Sequence, residues 1–173
     1  KNEHIMGTSF FMHQFTDDNS TLEYVQTFSS WEAIEKAAQR SSELAKEAWP
    51  DDNARAEFFK KRNDFYSNEH SDEIYSIIDG AKPLAEMPTK DLTLYLRISH
   101  FAFPEDGTMK EWKELRDERL EKVVHKNEFV LGYYPSTHYY GADRTEFIEA
   151  FYVEDLASLE KMLDRSPELA KEA

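Results

Sequence analysis

The chain has 173 residues, of which 40% are hydrophobic, and this is enough for one ordinary domain core or two small ones. Its 35 acidic residues against 21 basic ones give a formal net charge of -14, and no run of lysine and arginine could neutralise phosphates, which excludes nucleic acid and anionic membranes as favoured partners. The absence of cysteine excludes disulfides, thiolate metal sites and a cysteine nucleophile, and no apolar run approaches the about 20 residues that span a bilayer, so we expect a folded, soluble, cytoplasmic protein.

The chain opens with a segment that it repeats 125 residues later. KNEHIMG (1–7) matches KNEFVLG (126–132), and IEKAAQRSSELAKEA (34–48) matches LEKMLDRSPELAKEA (159–173) at 10 of 15 positions. A period of this length indicates duplication of a whole domain. Because the second copy stops where the first copy continues, we expect the chain to be a fragment of a protein of two periods, about 250 residues long.

The duplication predicts two domains joined by a linker. Residues 1–80 form an incomplete first repeat, residues 81–90 form a linker that contains prolines, and residues 91–173 form an incomplete second repeat. One complete period is obtained by reading from residue 91 to the end and then continuing in the first repeat. This period predicts six elements in the order β-α-β-β-α-β.

The first two elements of the period are a strand and a helix. DLTLYLRISHFAF (91–103) is rich in Leu, Tyr, Ile and Phe and predicts strand one. Thr108 and Glu111 have the spacing of a capping box and predict the start of helix one. The charges of WKELRDERLEK (112–122) indicate that one face of this helix is exposed.

The remaining elements are a hairpin, a second helix and a last strand. EFVLGYYPSTHYY (128–140) and TEFIEAFYV (145–153) predict strands two and three, which a short polar turn connects. A helical pattern follows, and Ser166 and Pro167 predict a break in it, with the serine as cap of the second piece. SDEIYSIID (71–79), in the first repeat, predicts strand four.

This order is that of the ferredoxin-like unit, in which helices cover one face of an antiparallel sheet. The duplicated unit, with its long broken second helix, resembles the dimeric α/β barrel superfamily, which includes the antibiotic-biosynthesis-monooxygenase, NIPSNAP and EthD types and the stress-responsive barrel proteins. The resemblance implies an α+β fold of tandem ferredoxin-like units, whose sheets pack face to face as an α/β barrel around a cavity. A homodimer is the alternative way to cover the open sheet faces.

Period-two alternation divides the side chains of strands one and three between two faces. We expect the aliphatic face to pack against the helices; it carries Leu92, Leu94, Leu96, Ile98, Ile148 and Ala150. We expect the largely aromatic face to line the barrel cavity; it carries Tyr95, Arg97, Ser99, Phe101, Phe103, Phe147, Glu149 and Phe151. An aromatic face of this kind is more typical of a ligand pocket than of a hydrated sheet.

Candidate catalytic residues are a charged pair and a histidine. Arg97 and Glu149 should lie on neighbouring strands, where they either form an ion pair that sets the register or hold a substrate oxygen and accept a proton. His138, which matches His13 of the first repeat, is either a general base or a half-buried histidine bonded to a neighbouring strand. We predict catalytic roles for Arg97, His138 and Glu149, and substrate binding by His13, Tyr95, Phe101, Tyr134, Phe147 and Phe151.

Three functions are compatible with these patterns. The first is a cofactor-independent oxygenase, cyclase or isomerase that acts on a small, hydrophobic, oxygen-bearing molecule, with no bound metal. The second is a haem-binding variant, in which a histidine of strand two ligates the iron. The third is a non-catalytic binding or assembly module, in which the aromatic faces are simply core.

Overall fold

A computed structural model describes residues 1–13, 20–67, 69–85 and 88–173. Within these ranges the chain is an α+β protein with four α-helices and two antiparallel sheets. It divides into two compact units, residues 1–70 and residues 71–173. The helices of the described ranges are all too short or too polar to cross a membrane.

The first unit contains a hairpin and two helices. Its elements are β1 (Gly7–Met12), β2 (Leu22–Thr27), α1 (Trp31–Ala48) and α2 (Asp52–Asn63), with β1 antiparallel to β2. The side chain of Ser30 caps α1 by accepting a hydrogen bond from Ala33 N at 3.3 Å, and Asp51 caps α2 by accepting one from Ala54 N at 2.7 Å. Pro50, between the helices, has no N–H to donate and disfavours continuation of α1, which ends at Ala48.

The second unit contains a four-stranded sheet and two helices. Its elements are β3 (Ile74–Ile77), β4 (Thr93–His100), α3 (Met109–Arg119), a π-helical turn (Leu120–Val124), β5 (Gly132–Tyr140), β6 (Glu146–Val153) and α4 (Leu156–Glu172). The strand order is β3-β5-β6-β4, antiparallel throughout. The predicted pairing of strand one with strand three is confirmed as β4 with β6, and so is the capping box of Thr108 and Glu111.

The strand predicted to end the first repeat lies in the second unit. β3 pairs with β5, and Lys82, in the predicted linker, forms a further bridge with Tyr133. β3 and the bridge at Lys82 therefore extend the second sheet beyond β5. The described strands form an open sheet, and none of them closes it into a barrel.

The predicted break in the last helix is wrong, since α4 is continuous from Leu156 to Glu172. Ser166 does not cap a new helix; its hydroxyl donates to the carbonyl of Met162 at 2.8 Å, one turn earlier. Pro167 lies inside the helix, where its missing N–H removes one backbone bond. Packing of the apolar residues of α4 against the sheet outweighs this local loss, because helical stability in proteins comes mostly from tertiary contacts.

The matched segments make the same hydrogen bonds in both units. In each unit an asparagine side chain ties the segment before a strand, β1 or β5, to a helix, through a backbone carbonyl and a serine hydroxyl. The bonds run from Asn127 Nδ2 to Met162 O (3.0 Å) and Ser166 Oγ (3.1 Å), and from Asn2 Nδ2 to Ala37 O (2.7 Å) and Ser41 Oγ (2.9 Å). Corresponding arginines also make corresponding ion pairs, Arg165 with Glu168 and Glu172, and Arg40 with Glu43 and Glu47. The two copies of the internal repeat thus share contacts as well as amino-acid sequence.

The helices of the second unit cover the face of the sheet opposite to the predicted one. The core consists of Leu120, Val124, Val130, Tyr133, Phe151, Val153 and Met162, with Tyr95, Phe129 and Leu159 packed against it. Leu96 and Ile98, which were expected to contact the helices, are 44% and 49% exposed. We call the side of the sheet that carries Leu94, Leu96 and Ile98 the open face.

The face assignment failed because both faces are hydrophobic. Alternation shows which residues share a face, but it does not show which face receives the helices. Here α3 brings Trp112 to the sheet, where its ring meets Phe101 and Phe147 edge-on at centroid distances of 5.0 and 5.1 Å. The aromatic face fills the space under the helices, and the aliphatic face is left outward.

Replacing Asn127 by alanine should lower the free energy of unfolding of the second unit by about 1–3 kcal/mol, because a buried amide loses two donated bonds and the one that it accepts from Phe129 N. Asn2→Ala should cost the first unit less, since Asn2 is only half-buried. Urea unfolding measures both, with the second unit followed by the fluorescence of Trp112 in a chain without the other tryptophans. Equal losses in the two units would contradict the role of burial.

Candidate functional site

A buried carboxylate links the sheet to the helices of the second unit. Glu149, on β6, is 4% exposed. Its Oε1 accepts hydrogen bonds from Arg119 Nη1 at 2.6 Å and from the Tyr133 hydroxyl at 2.8 Å. Burial raises the pKa of Tyr133, and the neighbouring charge of Glu149 raises it further, so the hydroxyl stays protonated and donates to the carboxylate. These contacts describe a satisfied buried charge that fixes α3 over the sheet.

The predicted pair of Arg97 and Glu149 is formed by the backbone and not by the side chains. The two residues are register partners on β4 and β6. The carboxylate, however, is taken by Arg119, which reaches it from the end of α3. Arg97 lies on the edge strand and is exposed, and no ion pair involves it within the part of the chain that the structure describes. Its guanidinium is therefore available to a ligand.

A cleft of about 360 Å³ lies beside these residues, between β4, β6, the end of α3 and the second half of α4. Its lining is mostly aliphatic, with two arginines and one serine. The lining residues are Tyr95, Arg97, Arg119, Val123, Val124, Val130, Phe151, Met162, Leu163, Ser166, Pro167 and Ala170. Three of the predicted site residues, Tyr95, Arg97 and Phe151, line this cleft, and Glu149 adjoins it through Arg119.

Two predicted substrate-binding residues belong to an aromatic cluster instead. Phe147 is 7% exposed, and Phe101 lies next to it with a ring-centroid distance of 6.0 Å. Both contact Trp112, as described above, and Phe101 also stacks on Phe103 at 5.5 Å. The structure places these rings in the packing between α3 and the sheet.

His138 lies on the open face, away from the cleft. Its side chain is fully buried, and its Nε2 lies 2.9 Å from Glu73 Oε2. Its Nδ1 is buried and makes no hydrogen bond within the described residues. The ring also meets the ring of Tyr75 edge-on at 5.4 Å. A haem iron at Nε2 would have to displace Glu73, so the contacts fit a histidine bonded to the residue just before the neighbouring strand β3.

The last two predicted residues, His13 and Tyr134, lie outside the cleft and outside the aromatic cluster. His13, in the first unit, has its Nε2 3.9 Å from Glu23 Oε1. The hydroxyl of Tyr134 accepts a hydrogen bond from Leu84 N at 3.3 Å, and its ring meets that of Tyr152 edge-on at 5.8 Å. The predicted site residues therefore do not form one site, because they are divided between two faces of a sheet and two units.

A polar cluster at the end of the open face was not predicted. His100 Nε2 lies 3.2 Å from Asp143 Oδ2, and the Tyr75 hydroxyl donates to Glu146 Oε2 at 2.8 Å. Hydrogen bonds from the Thr145 hydroxyl and backbone N–H are the main reason that the pKa of Asp143 is lowered, and the neighbouring charges of His100 and His138 lower it further. Both histidines thus lie close to Asp143.

Neither Arg119 nor Asp143 was among the predicted site residues. Arg119 lies in the charged run that predicted an exposed helix face, and that prediction is wrong for part of the run. Arg116, in the same run, is 7% exposed and lies over the ring of Trp112 at 5.2 Å. Asp143 lies in a turn, where an aspartate is common for local reasons. A buried Glu149 that must find a cation was the one signal that pointed toward a basic residue on a covering helix.

Arg119→Ala should destabilise the protein by about 3–5 kcal/mol, since it leaves a buried carboxylate without its cation. Glu149→Gln should cost only about 1 kcal/mol, because Arg119 has a 40% exposed side chain that water can solvate and the amide still accepts from Tyr133. Urea unfolding measures the difference. Lys122→Ala serves as the control. It removes an exposed ion pair between Lys122 and Glu118, which is one helical turn earlier, and should have little effect. Equal costs for Arg119→Ala and Glu149→Gln would contradict this account.

Comparison of the chain with protein-family models, with curated proteins and with solved structures found no match. The resemblance to the dimeric α/β barrel superfamily remains a prediction, and the candidate sites stand on their own geometry.

Proposed function

We propose that the protein binds a small molecule with an apolar body and an anionic group in the cleft of the second unit. The observation that carries the proposal is the position of Arg97, whose guanidinium has no ion pair among the described residues and lies at a cleft with mostly apolar lining. Ligand sites typically combine apolar walls with a few polar groups that fix the orientation of the ligand. A planar guanidinium is well suited to a carboxylate, which it can hold by two parallel hydrogen bonds.

The two arginines of the cleft differ in availability. Arg119 is bonded to Glu149, which holds its guanidinium in place and neutralises its charge. Arg97 supplies the uncompensated charge. In a chain of net charge -14, a positive cleft is a local exception that would attract an anion against the general field of the surface.

The apolar walls set the size and character of the ligand body. The volume of about 360 Å³ lies at the lower end of the range for small-molecule sites, so a ligand with one ring or a short chain fits better than a large cofactor. Leu163 and Ala170, both exposed on α4, lie at the cleft and would be covered by such a ligand. Catalysis is not part of the proposal, because the predicted base, Glu149, already accepts two hydrogen bonds.

Carboxylic acids with one aromatic ring or a short alkyl chain should bind at least about 10-fold more tightly than the primary alcohols of the same skeleton. The reason is that a charge-assisted pair with Arg97 stabilises the complex by about 1.5–3 kcal/mol. Isothermal titration calorimetry on such matched pairs measures the preference. Arg97→Gln should remove it, whereas Arg62→Gln, which changes an exposed arginine of the first unit, should leave it intact.

A second variant tests whether the ligand binds in the cleft, independently of the charge of Arg97. Ala170→Trp should fill the cleft and weaken acid and alcohol alike, without disturbing the core, because Ala170 is exposed. Unchanged preference in Arg97→Gln would refute recognition by Arg97. Unchanged affinity in Ala170→Trp would place the ligand elsewhere.

The open face favours a second candidate function, which is assembly through the sheet. Leu96, Ile98 and Ile77 are 44%, 49% and 52% exposed, and exposed aliphatic surface of this kind marks an interaction site. We propose a second copy of the same sheet as the covering partner, which would give the face-to-face packing expected from the superfamily resemblance.

Sedimentation velocity tests the assembly. The unaltered chain should sediment as a dimer, and Ile98→Asp should give monomers, because a carboxylate cannot be buried unpaired in an apolar interface. Leu115→Asp, which adds the same charge at a 67% exposed position on α3, is the matched control and should remain dimeric. A monomeric unaltered chain would exclude this role.

A further inference from the structure

A histidine and two carboxylates from three different segments meet at one end of the second sheet. His100 is the last residue of β4, Glu146 is the first residue of β6, and the two are register partners. Asp143 lies in the turn between β5 and β6. Each side chain offers one ligand atom, and these atoms all lie within 4.8 Å of one another. We propose that His100, Asp143 and Glu146 bind a divalent transition-metal ion of the zinc type.

The two carboxylates are held in place by groups outside the cluster. Asp143 Oδ1 accepts from Thr145 N at 2.8 Å and from Thr145 Oγ1 at 2.7 Å, which directs Oδ2 toward His100. Glu146 Oε2 accepts from the Tyr75 hydroxyl at 2.8 Å, which holds the carboxylate in place. Metal ligands are usually oriented in this way by second partners, which reduces the entropy that binding must remove.

An independent observation beside the cluster indicates a missing partner. The His138 side chain is fully buried, yet its Nδ1 has no hydrogen bond within the described ranges. Its ring contacts Tyr75, the residue that holds Glu146. Buried polar atoms without a partner are rare, and each one indicates a water, an ion or another group that completes the site. The charge of His138 lowers the pKa of Asp143, so the ring lies near the cluster, and an ion with bound water there would supply such a group.

The donor set decides the class of ion. One imidazole nitrogen favours zinc, iron, nickel or copper over magnesium and calcium, which prefer oxygen ligands alone. Three protein ligands leave at least one position for water, as in zinc sites that are not purely structural. His100 is exposed, so an ion can enter from solvent. The two carboxylates balance the double positive charge.

The sequence did not predict this site, because His100 is 43 residues from the nearer carboxylate, Asp143. Asp143 and Glu146 are three residues apart, and His100 joins them only when β4 pairs with β6. The metal site lies on the open face, whereas the cleft of the proposed ligand lies on the other face of the sheet. The test of the metal site uses metal alone, so either proposal can fail without the other.

Isothermal titration of zinc chloride into the full chain, after chelator treatment and removal of the chelator, should show one bound ion per chain. Tyr75→Phe, which removes a second partner only, should weaken binding by about 10-fold to 100-fold. His100→Ala and Asp143→Asn, which remove ligands, should weaken it by more than Tyr75→Phe does. His4→Ala is the matched control. It also removes a histidine beside a carboxylate, since His4 Nε2 lies 3.9 Å from Glu3 Oε1, but it lies outside the cluster and should leave zinc binding unchanged.

Cobalt(II) chloride gives a second readout, since its visible spectrum changes when imidazole and carboxylate replace water ligands. Circular dichroism confirms that each variant is folded, and Asp143→Asn keeps the shape of the side chain. Stoichiometric zinc binding that His100→Ala and Asp143→Asn both abolish, and that His4→Ala preserves, supports the site. No zinc binding by the unaltered chain, or zinc binding by His100→Ala and Asp143→Asn that is as tight as that of the unaltered chain, overturns it.

Discussion

The need to neutralise one buried carboxylate governs the second unit. Glu149 lies in the middle of β6, where burial leaves no water to solvate it, and a single unpaired charge there would be strongly destabilising. Its cation comes from Arg119 on α3 and its neutral donor from Tyr133 on β5. Both partners lie on the same side of the sheet as Glu149. The helices must therefore cover this face and leave the aliphatic face open.

This choice of face separates the two candidate sites. The cleft lies on the helix-covered side, where Arg119 is occupied by Glu149 and Arg97 is left for a ligand. The cluster of His100, Asp143 and Glu146 lies at the strand ends, where the edge of the sheet meets solvent. Antiparallel pairing of β4 with β6 sets both, because the same register that aligns Arg97 with Glu149 aligns His100 with Glu146.

The duplication preserved the attachment between strand and helix more faithfully than the chemistry of the sheet. The asparagine bonds and the arginine ion pairs occur in both units. Gln26, in β2, stands where the second unit has Glu149. A neutral amide needs no buried cation, so the constraint that orients the helices of the second unit does not apply in the same form to the first.

The sequence by itself determined the types of element, their order and the pairs that share a face. The capping box at Thr108, the β-rich runs of β4, β5 and β6 and the repeat of Asn2 at Asn127 all depend on local geometry or on residue identity, and each is readable without a fold. Ser166 and Pro167 locally favour a break in the last helix, but tertiary packing keeps α4 continuous.

Only the tertiary structure decided which face the helices cover, which cation pairs with Glu149, and where the predicted site residues lie. Tyr95 and Phe151 line a cleft, Phe101 and Phe147 pack against Trp112, and His138 pairs with Glu73 on the opposite face. These outcomes depend on contacts between segments that are far apart in the chain. Periodicity reports the direction of a side chain relative to its own strand, whereas burial, pairing and site formation depend on what the rest of the chain places in front of it.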